Sequence, residues 1–453
     1  MTIPQKADVV VVGAGIGGLS AAWELRDLDV VVLESTDRVG GRLMSEPRNQ
    51  YWLNFGGHVI GSSETFTGRL VEAAGARADD LPGVLTAVAV PGKMVSGGRV
   101  ETYPLRLPMS LRDRAGLMVA GARLRLAVAQ YARVARLRKG ESESERRARV
   151  LAHRSDQTFA EFLGSVPSDV DAMFRATIRR SSGEPEEVTA GYGIGYFQLV
   201  WDRGRGLTRN IVGGSGELPR KIAAALDGRI FTNSPVRSVV QDSDGVVVTF
   251  DDNGSDRTIR ARAVVVAAPA PVAREVIADL PADVASALEG ITYGPYYVGS
   301  FLTGETGPMP YDNVYAAATP RSSFNMLFNT ANLLRRRGRR EPGGTLMVYA
   351  AAKLARDLDG MTEEQIGERF VDDLCALFPQ LRGNVRETQI RYWSHGLPHP
   401  RPGRELLQPA LEQPLGKIHL AGDYLGITYI ETAVETGATA AHRIRADLRG
   451  EST

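Results

Sequence analysis

The sequence predicts an α/β fold in which a domain built on a parallel sheet is interleaved with a second, α+β domain that includes a helical subregion. Two uniformly apolar runs, 9–12 and 30–33, are typical of buried parallel strands, and they flank a glycine-rich turn and a helix-compatible stretch. Strand and helix patterns of the same kind recur at 213–269 and at 417–448. Because long stretches of different character separate these blocks, we predict one Rossmann-like nucleotide-binding domain assembled from distant parts of the chain.

The predicted domain boundaries follow these three blocks. The nucleotide-binding domain is expected to comprise 1–75, 208–282 and 412–453, and the second domain 76–207 and 283–411. The second domain would therefore be threaded through the first. Within the first domain we predict, in chain order, strand 9–12, helix 20–26, strand 30–33, helix 218–226, strands 236–240, 246–250, 262–268 and 418–421, and a long helix of small residues after the last strand.

Composition and charge place the chain among soluble globular proteins. Its 453 residues are 43% hydrophobic and 24% charged, and 54 basic residues nearly balance 53 acidic ones. This balance excludes extensive disorder, a multi-span membrane protein and a global positive field that would attract nucleic acid. The single cysteine, Cys375, excludes an internal disulfide framework, a multi-cysteine zinc site and a CxxC redox pair. No secretory signal precedes the first strand, so we expect a cytoplasmic protein.

One predicted helix, 111–139, is unusually basic, with Asp113 as its only acid. Its apolar residues recur near helical spacing, which leaves two hypotheses open: peripheral contact with a membrane, or a solvated arginine-rich face over a domain core. The cluster at 335–340 is predicted to be a solvent-exposed loop, and it lacks the interleaved aromatic residues of a nucleic-acid site. A homodimer is compatible with the sequence.

The motif that carries chemistry lies between the first predicted strand and helix. It fits G-x-G-x-x-G, in which the first glycine allows a sharp turn, the second lets the backbone approach a pyrophosphate, and the third allows close helix–strand packing. Glu34 closes the second strand about 20 residues after the motif, where an acidic residue binds ribose hydroxyls. The spacing therefore predicts a dinucleotide site formed by Gly13, Ala14, Gly15, Ile16, Gly17 and Gly18.

Three further segments carry a resemblance to a known family. Ser35 begins a stretch that ends in Gly40-Gly41-Arg42; a middle segment at 234–237 and 264–269 and a closing segment at 420–437 complete the pattern. Together they resemble the flavin-containing amine oxidase superfamily, which includes protoporphyrinogen oxidases, phytoene-type desaturases and monoamine oxidases. The resemblance implies FAD as cofactor, bound through all three segments.

The same resemblance implies roles for individual residues. Arg42 would lie near the pyrophosphate, Asp423 after Gly422 would hold the ribityl chain or pyrophosphate, and the helix starting near Ile430 would direct its N–H groups at the flavin N1–C2=O edge. The middle segment, with Val236 and Ala268, would meet the adenine. The segment Gly56-Gly57-His58 would run beside the isoalloxazine, where glycine avoids a collision with the ring.

The chain departs from parts of this family. Cys375 lies too far upstream to attach the flavin as in monoamine oxidases, so non-covalent FAD is expected. The stretch 291–298 has no counterpart of the lysine that many amine oxidases place near flavin N5, whereas 182–188 resembles the glycine-acid-proline segment of protoporphyrinogen oxidases. The branch of the superfamily therefore stays open.

Four residues are candidates for catalysis: Tyr429, Glu64, His58 and His395. Tyr429 corresponds to one wall of the family's aromatic cage, and the others could orient substrate or handle a proton. His395 and His399 have a metal-like spacing, but the glycine and proline between and beside them make a helix there improbable, so no metal is expected.

The predicted function is FAD-dependent removal of a hydride from a C–N or C–C bond of a largely apolar small molecule, with a secondary-metabolite intermediate as one expected class. Only one dinucleotide fingerprint is present, so electrons are expected to enter from the organic substrate and leave to oxygen or another acceptor. Two alternatives are a non-oxidative flavoenzyme, such as an isomerase or mutase, and an escort-type binding protein with a degraded cofactor site.

Overall fold

The computed structural model describes residues 3–201, 207–335, 340–427 and 429–450. Its strands are β1 (Lys6–Val12), β2 (Val30–Leu33), β3 (Ser45–Arg48), β4 (Tyr51–Asn54), β5 (Val59–Ile60), β6 (Ala78–Asp80), β7 (Ala87–Val90), β8 (Lys93–Val95), β9 (Arg209–Ile211), β10 (Ile230–Phe231), β11 (Val236–Gln241), β12 (Val246–Asp252), β13 (Ser255–Val266), β14 (Tyr293–Thr303), β15 (Ala316–Ala318), β16 (Met326–Asn329), β17 (Gly344–Ala351), β18 (Val385–Pro398) and β19 (Ile418–Leu420).

The α-helices of the same ranges alternate with these strands. They are α1 (Ile16–Glu24), α2 (Phe66–Ala73), α3 (Tyr103–Arg106), α4 (Leu111–Val134), α5 (Glu143–Leu151), α6 (Phe159–Leu163), α7 (Ser168–Ile178), α8 (Ala190–Tyr196), α9 (Gln198–Trp201), α10 (Glu217–Ala225), α11 (Ala270–Val276), α12 (Ala282–Glu289), α13 (Asn332–Arg335), α14 (Lys353–Arg356), α15 (Glu363–Leu377), α16 (Gln408–Leu411) and α17 (Ile430–Arg449).

The first sheet confirms the predicted Rossmann-like core. Its order is β10-β2-β1-β13-β12-β11, and β19 also pairs with β13. Strands β10, β2, β1, β19 and the second half of β13 run parallel, with Val9 opposite both Val30 and Ala263. Side chains on one face pack under α1, α10 and α17, and those on the other face pack under α11 and α12. Because both faces are covered, the valines of β1 and β2 are buried throughout.

Two elements begin several residues before the position expected from the sequence. Helix α1 begins at Ile16 rather than at residue 20, because Gly15 is its N-cap residue and accepts the first helical hydrogen bond from Leu19 N (2.9 Å). Because glycine has a low helix propensity, the glycine-rich first turn of this helix is not predicted from the sequence. Strand β13 begins at Ser255 rather than at 262, because its polar first half pairs antiparallel with β12 before the apolar half joins β1.

The second sheet has the order β18-β14-β17-β16-β15-β7-β8, so its strands come from both segments assigned to the second domain. Helix α15 packs on one face of this sheet through Ile366, Phe370 and Leu374. Helices α4, α6, α7 and α8 enclose a separate apolar core, which is the predicted helical subregion. The division into two interleaved domains at the stated boundaries stays a prediction.

The basic helix α4 ends at Val134, five residues before the expected end. Its inner face contributes Leu124, Val128 and Tyr131 to the helical core, whereas its outer face exposes Leu111 and Leu126 together with several arginines. Membrane contact through this face stays a prediction. None of the helices in the described parts of the chain is both long and apolar enough to span a membrane. Of the arginine cluster at 335–340, residues 336–339 lie outside the described residues.

Candidate functional site

The parallel strands end together at one edge of the first sheet. Gly13 follows β1, Glu34 follows β2, Ala268 lies two residues beyond β13, and Gly422 lies two residues beyond β19. In open parallel sheets, ligands bind outside this carboxyl edge. The three distant blocks of sequence therefore meet where the sequence placed the cofactor.

The glycine turn has the shape that the fingerprint predicts. Gly13 has a φ of +98°, and its N–H donates to Leu33 O (2.8 Å), which ties the turn to β2. A Cβ on Gly18 would lie 2.0 Å from Gly13 O, so only glycine allows α1 to pack this closely. In contrast, apart from its chain neighbours, no residue that the structure describes has an atom within 4 Å of a Cβ built on Gly15. The space beside Gly15 is open for a group that approaches the backbone closely.

Glu34 is buried, and its carboxylate is hydrogen-bonded to the backbone of the glycine turn. Its Oε2 accepts a hydrogen bond from Ala14 N (2.8 Å), and its Oε1 accepts from Thr36 N (2.9 Å) and Thr36 Oγ1 (2.8 Å). Ser35 is exposed, and its hydroxyl lies 3.4 Å from Glu34 Oε1. Ser234 N donates to Glu34 O (2.8 Å), which places the segment leading to Val236 beside this strand end.

A second glycine-rich loop lies against the first. Gly40 N donates to Ala14 O (2.8 Å), and a Cβ on Gly41 would approach Gly15 Cα to 3.3 Å. Arg42 then forms a two-point ion pair with Asp423, with Nη1–Oδ2 at 2.7 Å and Nη2–Oδ1 at 2.9 Å. Arg42 Nη1 also donates to Gly396 O (2.9 Å). The loop after β2 is thus joined to the loop after β19 by paired charges.

For the pair Gly56-Gly57 the structure gives a different reason for glycine than the flavin ring. A Cβ on Gly56 would lie 2.0 Å from the carbonyl oxygen of Arg42, and one on Gly57 would lie 3.1 Å from Ile430 Cδ1. Both positions are constrained by protein neighbours. The pair is nevertheless in contact with Arg42 and with the start of α17, the two elements expected to hold the cofactor.

Helix α17 begins at this same place. Its N-cap residue, Tyr429, has a φ of +136°, a conformation that L residues rarely adopt. The helix crosses α1 at small residues: a Cβ on Gly437 would lie 2.1 Å from Gly17 O, and Ser20 Oγ donates to Val434 O (2.8 Å). This close crossing fixes the direction in which the amino end of α17 points.

Glu431, a residue that the sequence analysis missed, links α17 to α2. Its Oε1 accepts from Phe66 N (2.7 Å) and its Oε2 from Thr67 N (3.0 Å), so it satisfies the free N–H groups at the start of α2. Glu64, which was a catalytic candidate, lies just before this helix with an exposed side chain, and its carbonyl oxygen accepts from Arg69. The described contacts do not bring Glu64 to Tyr429.

Aromatic side chains from separate elements surround Tyr429. Its ring centroid lies 5.8 Å from that of Tyr196 on α8. A second group consists of Tyr296 and Tyr349, 5.7 Å apart, with Phe328 at 5.0 Å from Tyr349. The guanidinium of Arg180 connects the two groups, because its Cζ lies 5.2 Å from the Tyr196 ring and 5.8 Å from the Phe328 ring. We call this set the aromatic cavity.

His58 adjoins the aromatic cavity. Its ring makes an edge contact with Phe328 (4.7 Å), and its Nδ1 lies 3.0 Å from Tyr349 Oη and 3.1 Å from Gly56 O. Burial lowers the pKa of His58 to about 3, a shift that the hydrogen bond to Gly56 O opposes and the nearby Arg180 increases. His58 is therefore neutral at physiological pH and holds the glycine pair against Tyr349.

The phenols of Tyr429, Tyr296 and Tyr349 are also neutral. Burial raises the pKa of Tyr429 and Tyr296 well above the usual range, and neighbouring tyrosines raise it further. Burial likewise raises the pKa of Tyr349. These hydroxyls can donate or accept hydrogen bonds, but they are not bases near neutral pH.

His395, another catalytic candidate, is exposed on β18. Its ring packs edge-on against Tyr293 at 5.1 Å, and its Nδ1 lies 3.1 Å from Ser394 Oγ. The described contacts do not join it to the aromatic cavity. His399 is part of no metal-binding group: no set of three or more His, Cys, Asp or Glu residues within the described ranges could hold an ion.

The aromatic cavity could have been found in part from the sequence. Tyr296 lies in the stretch 291–298, which contains three tyrosines. Tyr196 directly follows the alternating glycines of 191–195. Arg180, Phe328 and Tyr349 carry no local signal, because Arg180 lies in a short 3₁₀ helix and the other two lie in ordinary buried strands.

The residues present fit FAD. The open space beside Gly15, the carboxylate of Glu34 and the charged pair Arg42–Asp423 lie along one path from the carboxyl edge of the sheet to Tyr429. Cys375, the single cysteine of the sequence, lies on α15 and packs against the core between that helix and the second sheet. No thiol is therefore present at the site for a covalent bond to the flavin. The cofactor is FAD, held without a covalent bond.

Comparison with known proteins agrees with this assignment. The model of the family described as flavin containing amine oxidoreductase matches residues 16–445. A flavin-containing amine oxidase B of Sus scrofa is 24% identical over 490 residues, covering 97% of this chain and 86% of its own. A flavin-containing amine oxidase of Oncorhynchus mykiss is 23% identical, covering 99% of this chain and 87% of its own.

Solved structures show the same fold. Cyclohexylamine oxidase from Brevibacterium oxydans has a TM-score of 0.77 at 22% identity, covering 98% of this chain and all of its own (100%). A putrescine oxidase bound to putrescine has a TM-score of 0.75 at 18% identity, covering 97% of this chain and 99% of its own. From the family match across nearly its whole length, we conclude that the chain belongs to the flavin-containing amine oxidoreductases and is an FAD-dependent oxidoreductase.

Proposed function

We propose that this protein oxidises the C–N bond of an amine that carries an apolar group, and that oxygen is the final electron acceptor. The observation that carries the proposal is the aromatic cavity, which places Tyr429 at the amino end of α17 and faces it with Tyr196. When bound, FAD supplies the two-electron acceptor for the hydrogen on the carbon next to nitrogen. The organic product of this loss is an imine.

The residues of the cavity support such a reaction by enclosing and orienting the substrate. The rings of Tyr196, Tyr296, Tyr349 and Phe328 provide apolar walls that exclude water. The hydroxyls of Tyr296 and Tyr349 are neutral hydrogen-bonding groups. His58 is neutral, and the cavity holds a cation in Arg180. Such surroundings favour an uncharged amine over an ammonium ion, because a nearby positive charge lowers an amine pKa.

The cofactor site bears differently on the two alternatives. The intact cradle at Gly15, Glu34, Arg42 and Asp423 disfavours an escort-type binding protein, which would need no cofactor. A non-oxidative flavoenzyme would share the same cradle, so its distinction from an oxidase rests on the direction of electron flow.

The test is anaerobic reduction of the purified yellow protein by a panel of amines, porphyrinogens and polyenes. We expect amines to bleach the flavin and, in air, to produce hydrogen peroxide in proportion to the imine formed. Bleaching by porphyrinogens or polyenes alone would contradict C–N oxidation and favour the C–C branch. Activity that requires an added reductant, without oxygen uptake, would favour an isomerase or mutase.

A further inference from the structure

The last turn of α7 and the segment after it carry three arginines whose surroundings differ. Arg175 pairs with Asp171 (3.0 Å), Glu184 (2.8 Å) and Glu186 (2.7 Å). Arg179 pairs with Glu184 at 2.8 Å. Arg180, the next residue, has no hydrogen bond or ion pair from its guanidinium to any residue that the structure describes.

The backbone of Arg180 is nevertheless firmly held. Its carbonyl oxygen accepts hydrogen bonds from Tyr196 Oη (3.1 Å) and from Tyr296 Oη. Glu184 fixes the following turn, because its carboxylate also accepts from Lys353 N (3.0 Å). The acidic segment 182–188, which the predicted fold left without a function, thus anchors the turn that carries Arg180.

The guanidinium of Arg180 points into the aromatic cavity. It lies over the rings of Tyr196 and Phe328, and it is only partly exposed. Cation–π contacts compensate part of the cost of removing a guanidinium from water, but they leave its N–H donors unused. An arginine is charged at every physiological pH, and its planar fork matches a carboxylate at two points.

We propose that Arg180 binds a carboxylate of the substrate, so that the enzyme acts on amines that also bear a carboxylate, that is, on amino acids. This rests on the proposed function and narrows its substrate class. Tyr196 lies between the two ends, because its ring is 5.2 Å from Arg180 Cζ and 5.8 Å from the Tyr429 ring. A substrate whose carboxylate pairs with Arg180 therefore presents its C–N bond near Tyr429.

The same geometry explains a preference against simple amines. A cation in the cavity, without a carboxylate from the described residues to balance it, repels a diamine or any substrate with a second positive group. A carboxylate on the substrate removes this repulsion and satisfies the unused donors. The Arg180 side chain would then bind the substrate, and it would set both the affinity and the position of the C–N bond relative to Tyr429.

The experiment compares matched pairs that differ only in the carboxylate: phenylalanine with 2-phenylethylamine, and leucine with 3-methylbutylamine. We expect each amino acid to reduce the flavin anaerobically at a concentration at least about tenfold below its amine. Arg180→Met should raise the concentration of amino acid needed for half-maximal reduction on the order of 10²-fold, a factor much larger than its effect on the matched amine. Arg180→Lys should recover part of the loss.

A second readout needs no turnover. Benzoate titrated into the oxidised holoenzyme should perturb the flavin spectrum, and Arg180→Met should abolish this change. Arg356→Met, which removes an arginine that pairs with Glu187 (3.1 Å) outside the cavity, is the matched control and should behave as the wild type.

The outcomes separate the two proposals. If amines and amino acids reduce the flavin equally well, and benzoate binds Arg180→Met as it binds the wild type, the carboxylate site is wrong while amine oxidation stands. If neither class reduces the flavin, the proposed function fails, and the benzoate titration still decides whether Arg180 binds a carboxylate.

Discussion

Arg42 and Asp423 are 381 positions apart in the chain, yet they form a two-point ion pair at 2.7 and 2.9 Å. The Asp423 side chain is almost fully buried, whereas that of Arg42 keeps 31% of its surface exposed. The pair joins the loop after β2 to the loop after β19. It therefore connects two parts of the cofactor site that lie far apart in the sequence.

Loss of this pair should weaken both the fold and the binding of FAD. Asp423→Ala leaves the guanidinium of Arg42 without its partner in a partly desolvated site, which costs about 2 kcal/mol of unfolding free energy. Urea unfolding of the apoprotein measures the stability, and quenching of flavin fluorescence measures FAD affinity. The control is Asp357→Asn in the exposed pair with Lys353, where a change below about 1 kcal/mol is expected. Equal effects in the two variants would contradict a structural role for the Arg42–Asp423 pair.

The two glycines of the fingerprint should respond differently to the same substitution. Gly15→Ala places a methyl group in open space, so the apoprotein should keep its stability while its affinity for FAD falls at least about tenfold. Gly18→Ala places the methyl group 2.0 Å from Gly13 O, so the apoprotein should lose about 1–3 kcal/mol. Thermal unfolding of both apoproteins, followed by FAD titration, distinguishes them. A destabilised Gly15→Ala apoprotein would show that the space beside this residue is not open.

The backbone at Tyr429 stores strain that glycine can release. A φ of +136° costs a non-glycine residue about 1–3 kcal/mol, so Tyr429→Gly should be about 1–3 kcal/mol more stable than Tyr429→Ala, which loses the same ring but keeps the strained backbone. The glycine variant removes the ring beside Tyr196 and should slow reduction of the flavin strongly. Tyr429→Phe keeps the strain and the ring and loses only the hydroxyl, so we expect a loss of about 2- to 10-fold in the rate of reduction. Urea unfolding and anaerobic stopped-flow kinetics test the two parts. A glycine variant that is no more stable than the alanine variant would contradict backbone strain.

His58 should contribute to acid sensitivity. In the unfolded chain it binds a proton below its ordinary pKa of 6.5, whereas the folded residue stays neutral until its pKa of about 3. The unfolded state therefore holds more protons across this window, and the free energy of unfolding falls as the pH decreases, by up to about 1.4 kcal/mol per pH unit. His58→Gln should flatten this dependence between pH 6 and 4 (roughly the window set by these pKa values). His442→Gln, which changes an exposed histidine, should retain the wild-type dependence. An unchanged slope in His58→Gln would show that the buried ring is already protonated in the folded state.

Much of the fold follows from local patterns. Three features could be predicted because each lies within one short structural unit of fixed spacing. They are the apolar strands β1 and β2, the glycine turn between β1 and α1, and the acidic residue at the end of β2. The boundaries that differed have a local cause as well. The start of α1 is made of glycines, and the first half of β13 is polar because one of its faces is exposed.

The aromatic cavity, by contrast, is decided by tertiary structure. Arg180, Tyr196, Phe328, Tyr349 and Tyr429 lie in five different elements or turns and approach one another only when the second sheet and the helical subregion pack against α17. Contact between side chains that are hundreds of residues apart leaves no periodic pattern in the sequence. For the same reason the sequence identified the glycines and acids of the cofactor site, whereas only the folded chain shows that the arginine among the cavity rings lacks a carboxylate partner within the described residues.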